Sequence, residues 1–277
     1  MPYIDVNVGS TKMSVAQTVG HSCENATRSL IPDEGYENQI LDLIKNAISK
    51  SVNKYVEAIG IGISNFVDWR LRTLCDVENI PSLKKVYLND FLENHLNIPV
   101  FFKNDINYFS LGELYFGARK NLDSFLVLSI GTEIAGGIII NKKLYSGSNS
   151  DAVEFEMFSY LDTNFEDHSS GQFFQKIHGI QGEKKLSNAM AEDARALSLY
   201  STFGKHLENL IILVLHTFDP EPIILNYSAI KAYTHSKYRI QLSLKQFAYQ
   251  KSISNLKIIS FSNPDISVKS SNALCYK

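Results

Sequence analysis

Two stretches of this 277-residue chain constrain its fold more than any others, because each reads as a strand, a glycine-containing turn and a second strand. Residues 2–8 (PYIDVNV) alternate, break at Gly9-Ser10-Thr11-Lys12 and resume over Met13–Thr18. Ser124–Ile130 (SFLVLSI) turns at Gly131–Ala135 and returns as Gly136–Ile140. Strand, glycine turn, strand is a hairpin signal. Further strands and helices follow each hairpin, so the chain divides into two halves of similar layout. That layout predicts an α/β protein with two lobes.

The remaining elements follow from periodicity. Ile40, Leu43, Ile44, Ala47, Ile48, Val52 and Tyr55 recur at helical spacing and predict a helix over Glu37–Val56. Ala58–Ile63 (AIGIGI) reads as a short buried strand whose glycines permit close backbone approach. Leu88–Asn94 is a short helix, and Pro99–Lys103 a strand running into Asn104-Asp105. Ile106–Ala118 is the next helix. Ser146–Asp151 is a loop, and 159–171 is polar and irregular. A long helix over about 189–218 ends at Pro220 and Pro222, where another strand, Pro222–Leu225, begins.

Composition excludes several classes of function. With 27 Lys and Arg against 29 Asp and Glu, the net charge of -2 argues against nucleic acid or an anionic membrane as the main partner. Cys23, Cys75 and Cys275 are odd in number, far apart and in no ligand spacing, so neither a disulfide framework nor a zinc site is expected on them. The first residues hold no apolar segment behind a basic stretch, and no apolar run approaches the roughly 20 residues a bilayer requires. The expected location is cytoplasmic.

Three places carry residues suited to chemistry. Asn104-Asp105 closes an apolar strand, at the edge where open α/β sheets place ligands. Asp105 there either accepts a proton from an attacking hydroxyl or caps the following helix. The turns Gly9-Ser10-Thr11-Lys12 and Gly131-Thr132-Glu133 either offer backbone N–H and hydroxyl groups to phosphate or simply close hairpins. Neither has Walker or GxGxxG spacing. Glu154, in AVEFEM, is either a half-buried carboxylate facing a polar ligand or a solvated one.

Taken in order, NVGSTK, IGIGISNFVD, ENIPSLKKVYLNDFLENHLNIPVFFKNDINYFSLGELYFGA, FLVLSIGTEIAGGIIINKKLYSGSNSDAVEFE and DPEPIILN resemble the ROK family of sugar kinases and sugar-responsive repressors, in the actin–hexokinase superfamily. The resemblance implies two ribonuclease-H-like lobes with a sugar and nucleotide cleft between them. The lobes would span 1–107 and 108–265, with a C-terminal helix at 266–277 packing back on the first. It implies phosphorylation of a hexose or amino sugar, with ATP and Mg²⁺ as cofactors if transfer is retained, and a homodimer. By the same resemblance Asp105 is the catalytic base. Asn79, Asn104 and Glu154 join it in holding the sugar. Gly9, Thr11 and Lys12 form the first phosphate turn, with Gly131, Thr132 and Glu133 in the second. The helix-turn-helix segment that precedes the first turn in the family's repressors is not expected here.

Departures from the family pattern cluster at the nucleotide. The family's D-x-G-G-T-K is Asn7-Val8-Gly9-Ser10-Thr11-Lys12, so a metal-positioning Asp has become neutral Asn7. In G-T-G-x-G-G-G, Glu133 and Ala135 replace two glycines, which adds a charge and the prospect of backbone strain. A unit charge about 4 Å from a phosphate charge costs about 4 kcal/mol at an effective dielectric of 20. Asn226-Tyr227-Ser228 replaces a glycine-rich turn near the adenosine. G-E-x-G-H is Val153-Glu154-Phe155-Glu156-Met157, which lacks the zinc-binding His, and the cysteine run is missing too. The family's second sugar-binding Glu has no evident match in SSGQFFQ. The expectation is therefore a sugar-binding homologue, a pseudokinase whose ATP-dependent phosphorylation is weakened or lost. The alternative is an active kinase with Asp105 as base, in which Glu133 takes over the metal from Asn7.

Overall fold

The computed structural model describes residues 2–9, 12–20, 22–32, 37–63, 66–68, 73–75, 87–117, 122–148, 152–179, 194–225, 237, 240–242, 244–245, 247–260 and 270. Two compact units divide the chain. The first comprises Met1–Leu122, Lys142–Ala152 and Ser262–Lys277, and the second Asp123–Asn141 and Val153–Phe261.

In the first unit, β1 (Pro2–Val8), β2 (Lys12–Val19) and β3 (Ser22–Leu30) form an antiparallel meander. After α1 (Glu37–Ser49), β4 (Ala58–Ile63) pairs parallel with β1. The short strands β5 (Phe66–Asp68) and β6 (Thr73–Cys75) pair with each other. Then α2 (Leu88–Leu96) leads to β7 (Val100–Asn104), parallel to β4, and α3 (Asp105–Phe116) follows directly. The sheet order is β3-β2-β1-β4-β7.

Strand alternation sorts this sheet into two chemically different faces. Ile4, Val6 and Val8 of β1, Ile59, Ile61 and Ile63 of β4, and Val100 and Phe102 of β7 form one core with Ile40, Ile44 and Ile48 of α1 and Leu88 and Leu92 of α2. The alternate residues, Asp5, Asn7, Gly60 and Gly62, lie on the opposite face. There α3 packs against β4 and β7. A Cβ at Gly62 would stand 2.7 Å from the ring of Tyr108, so the glycine of AIGIGI is what admits this helix so closely.

In the second unit, β8 (Phe125–Ile130) and β9 (Ile134–Ile140) form the second hairpin. After β10 (Lys143–Tyr145), which belongs to the first unit, the second resumes with a 3-10 turn at Phe155–Met157 and the two-residue strands β11 (Ser159–Tyr160) and β12 (Thr163–Asn164). The five-residue α4 (Phe165–Ser169), a π-turn at Phe173–Ile177, α5 (Ala194–Phe218), β13 (Pro222–Leu225), α6 (Gln250–Asn255) and β14 (Lys257–Ser260) complete it. β13 runs parallel to both β8 and β14. Phe125–Leu128 and Ile223–Leu225 are buried at every position, the continuous apolar pattern of strands covered on both faces. Phe203, Leu207, Leu210, Ile211, Val214 and Leu215 of α5 belong to the same buried set.

Three sequence expectations differ from the structure. β3 was not foreseen. α1 ends at Ser49 rather than Val56, because Ser51 and Val52 N–H groups both turn back to the Ile48 carbonyl. The stretch 159–171, expected as irregular, contains β11, β12 and α4. The C-terminal segment 266–277 lies outside the described residues, Ser270 excepted.

Candidate functional site

The parallel strands of the first unit end together. Val8 pairs with Ile63 and Ile63 with Asn104, so the Gly9–Lys12 turn and Asn104-Asp105 lie at one sheet edge. Two strand spacings separate them, about 10 Å. The Gly9 N–H donates to the Lys12 carbonyl at 2.9 Å and closes the turn. Ser10 and Thr11 lie outside the described residues, as do Asn79 and Asn226-Tyr227-Ser228.

The start of α3 separates the two roles that the sequence left open. Asn104, not Asp105, caps the helix. Its Oδ1 accepts from the N–H of Ile106 at 3.0 Å and of Asn107 at 3.4 Å. With Oδ1 engaged, what Asn104 offers a ligand is its amide N–H₂ group. Asp105 is the first helical residue and half-buried. One turn later Tyr108, fully buried, donates its hydroxyl to Asp5, a carboxylate only 2% exposed in the middle of β1. That buried bond fastens α3 to the sheet and thereby fixes where Asp105 stands. Lys103, on β7 just before the pair, is half-buried, and burial lowers its pKa.

In the second unit the turn Gly131-Thr132-Glu133 is closed by the Gly131 N–H donating to the Glu133 carbonyl at 2.9 Å. Thr132 and Glu133 are exposed. Neither Glu133 nor Ala135 has a positive φ, so replacing the two glycines imposes no left-handed strain here. Glu154 is held from both sides. Gly136 lies so close that a Cβ would meet the Val153 carbonyl at 2.7 Å and the Phe155 ring at 2.8 Å. Val153 has φ 76°, a strained conformation for a β-branched residue, in the position of the family's glycine.

Glu154 does not stand alone. Burial, a hydrogen bond to Glu154 and the Glu154 charge push Glu156 up to about 9, with a further contribution from Glu166. Burial and the neighbouring Glu154 thus favour the protonated form of Glu156 near neutral pH. Its Oε2 is enclosed and has no hydrogen-bond partner among the described residues. Glu166, on α4, is pushed up to about 7, chiefly by burial and then by the charges of Glu133 and Asp167, against the opposing Ile134 N–H bond. Its Oε2 accepts from the Ile134 N–H at 2.8 Å, next to the Gly131–Glu133 turn. Sequence reasoning missed Glu166 by searching the residues after it. The available signal was Asn164, an N-cap residue immediately before FED; its Oδ1 accepts from the Asp167 N–H at 3.1 Å.

Behind this group, Tyr160 stacks on Phe165 at 4.2 Å between ring centroids, and its hydroxyl meets His206 Nδ1 at 3.0 Å. His168 Nε2 meets Asp162 at 2.9 Å. Burial, with smaller contributions from His168 and Lys205, lowers His206 to about 4. Among the described residues no group of three His, Cys, Asp or Glu is arranged to hold a metal ion, and no helix is long and apolar enough to cross a membrane.

These two α/β units match known proteins. The chain is 28% identical over 213 residues to the xylose repressor of Bacillus spizizenii, covering 70% of this chain and 54% of that protein. Over 153 residues it is 29% identical to the glucokinase of Thermotoga maritima, covering 54% of this chain and 48% of that one. It thus spans about half the length of these curated relatives. A ROK family glucokinase from Streptomyces griseus, solved in complex with glucose and AMPPNP, shares the fold with a TM-score of 0.81 at 20% identity, over 99% of both chains. The ROK family model matches residues 3–155, and this chain belongs to that family.

Proposed function

We propose that this protein binds a hexose or amino sugar through Asn104, Asp105 and Glu154, with Asn79 as a further contact, and that phosphoryl transfer from ATP is weakened or lost. What supports the sugar half is the placement of Glu154 and Glu156 within hydrogen-bonding reach of each other, Glu156 being largely buried with its pKa pushed up. A carboxylate pair with one proton accepts sugar hydroxyls without the repulsion of two adjacent charges. The glucose-bound relative and the curated glucokinase support the same ligand class. Asp105 accepts from a sugar hydroxyl and the Asn104 amide donates to another.

The residues fit Mg-ATP poorly. Asn7 is neutral, the Gly9 and Gly131 N–H groups donate within their own turns, and Glu133 brings an exposed carboxylate to the second turn. Phosphate recognition needs outward N–H groups and compensating positive charge. No catalytic step through the nucleotide is therefore assigned.

Calorimetric titration with glucose, fructose, mannose and N-acetylmannosamine tests the sugar half. At least one should bind with micromolar to millimolar affinity. Glu154→Gln should weaken it by about 10- to 100-fold, the worth of one hydrogen bond to a charged group. Binding of none, or an unaffected variant, would refute the proposal.

One observation favours a second reading as an active kinase. Asn104 supplies the helix cap, so capping does not account for Asp105, the residue that the resemblance makes the base. On that reading Asp105→Asn abolishes ADP release in the presence of sugar while sparing sugar binding. Turnover retained in the variant would remove Asp105 as base.

A further inference from the structure

One surface hairpin of the second unit is too small to hold itself. β11 and β12 pair only Ser159 with Asn164 and Tyr160 with Thr163. A lone two-stranded hairpin is at best marginal in water. At its tip Leu161 is exposed and has φ 52°, which glycine adopts freely and leucine does not. What keeps this hairpin in place lies outside it.

Tyr160 supplies the hold. Its ring stacks on Phe165 of α4 at 4.2 Å and meets His168 and His206 edge-on, both at 5.6 Å. Its hydroxyl completes a chain to α5. Asn209 Nδ2 donates to the Lys205 carbonyl at 3.1 Å, which fixes the orientation of the amide, and also to Tyr160 Oη at 2.8 Å. The phenol hydrogen is thus left for His206 Nδ1 at 3.0 Å, so this ring is neutral and carries its proton on Nε2.

The two histidines have different surroundings. Their rings are 5.2 Å apart, and both residues are buried. His168 Nε2 has the exposed Asp162 carboxylate at 2.9 Å, a counter-charge for a protonated ring. His206 faces the Tyr160 phenol from β11, His168 from α4, Phe173 from the π-turn, His178 just after it and Lys205 on its own helix, while Glu208 bears on Tyr160. Among the described residues the titratable groups whose charges bear on His206 are all basic, and burial with these neighbours holds it at about 4.

We infer that the β11–β12 hairpin is a pH-sensitive latch on α5, closed while Tyr160 donates to a neutral His206 and opened by a proton on that ring. The proton turns Nδ1 from acceptor to donor and leaves a buried charge with no counter-ion among the groups that face it. Opening gives the ring to water, where its ordinary value of 6.5 applies. Asn164 caps α4 from β12, so opening also takes the cap from that helix. With about 4 closed and 6.5 open, lowering the pH from 7.5 to 5 multiplies the open-to-closed ratio by about 25.

Amide hydrogen exchange in the ¹⁵N-labelled full chain tests this at the Phe165 N–H, which donates to the Phe158 carbonyl at 3.1 Å across the base of the hairpin. After correction for intrinsic exchange, its protection should fall about 25-fold from pH 7.5 to 5 and respond little to low urea. His206→Gln should abolish the fall, and His168→Gln should retain it. Tyr160→Phe, which keeps the stacked ring, should lower protection at pH 7.5 by about 5-fold, the worth of one hydrogen bond. A flat wild-type profile, a fall that survives in His206→Gln, or unchanged protection in Tyr160→Phe would overturn the latch. So would Phe165 exchange that tracks urea as steeply as the Leu128 and Ile224 amides of the sheet, since the unit would then open only as a whole.

Discussion

Removing the Tyr108 hydroxyl is the sharpest perturbation of the arrangement that places Asp105. Tyr108 is fully buried and donates to Asp5, itself 2% exposed on the central strand. Tyr108→Phe keeps the ring that fills the space over Gly62, so the change is confined to the hydroxyl, whose main partner is Asp5 with the Gly60 carbonyl farther off at 3.4 Å. A hydrogen bond to a charged group contributes about 1.5–3 kcal/mol. Applying a shift of about 2–4 °C per kcal/mol for a protein near this size, melting should fall by about 4–8 °C for a loss near 2 kcal/mol.

Urea denaturation of Tyr108→Phe, Asp5→Ala and the double variant isolates the pairwise contribution. The coupling should lie between about 1 and 3 kcal/mol, and sugar affinity should fall in Tyr108→Phe, because α3 begins at Asp105. Additivity within about 0.5 kcal/mol would refute the claim that this bond anchors the helix.

Three further outcomes follow from the second unit. Glu156 has a folded-state pKa raised to about 9 from 4.5, so the folded protein holds a proton that the unfolded chain releases above 4.5. Wild type should therefore lose stability relative to Glu156→Gln as pH rises from 5 to 8, by at most about 4 kcal/mol at 1.4 kcal/mol per unit, as read from urea melts. His206 has the opposite sign. Its folded-state pKa is lowered to about 4, so its contribution is lost as pH falls from about 6.5 through 4, and His206→Gln should melt with a shallower acid dependence in calorimetric scans. Gly136→Ala should cost about 1–3 kcal/mol through overpacking and weaken sugar binding, because the added methyl would push on Val153 and Phe155, either side of Glu154.

The parts of the fold legible in the sequence are those whose determinants are local. The two hairpins announce themselves by alternation broken at glycine, and β7 with α3 by an apolar run ending in Asn-Asp. β3 was illegible because SCENATRSL is an edge strand, largely solvent-exposed where its burial is described, with no apolar face to mark its period. The end of α1 was misjudged because Val52 and Val56 do pack against the core, but from the turn after the helix. Asn104 and Asp105 stand out at the end of an apolar strand, yet which of the two caps α3 depends on backbone geometry that adjacent polar residues do not reveal. Glu166 was missed for another reason. Its position depends on Tyr160 stacking on Phe165 and on a buried histidine pair contributed partly by α5, contacts up to 46 residues apart in sequence. Glu156 carries no mark of its own in AVEFEM, because its raised pKa comes from burial and from the neighbouring Glu154, which only the fold brings about.

The function proposed here is sugar binding without productive use of ATP. Calorimetric titration of the purified protein with Mg-ATP, in the presence of a saturating sugar and paired with a coupled ADP-release assay, tests it most directly. Sugar binding with no measurable Mg-ATP binding and no ADP release is expected. Micromolar Mg-ATP affinity with sugar-dependent ADP release would contradict it, and would make this chain a working sugar kinase.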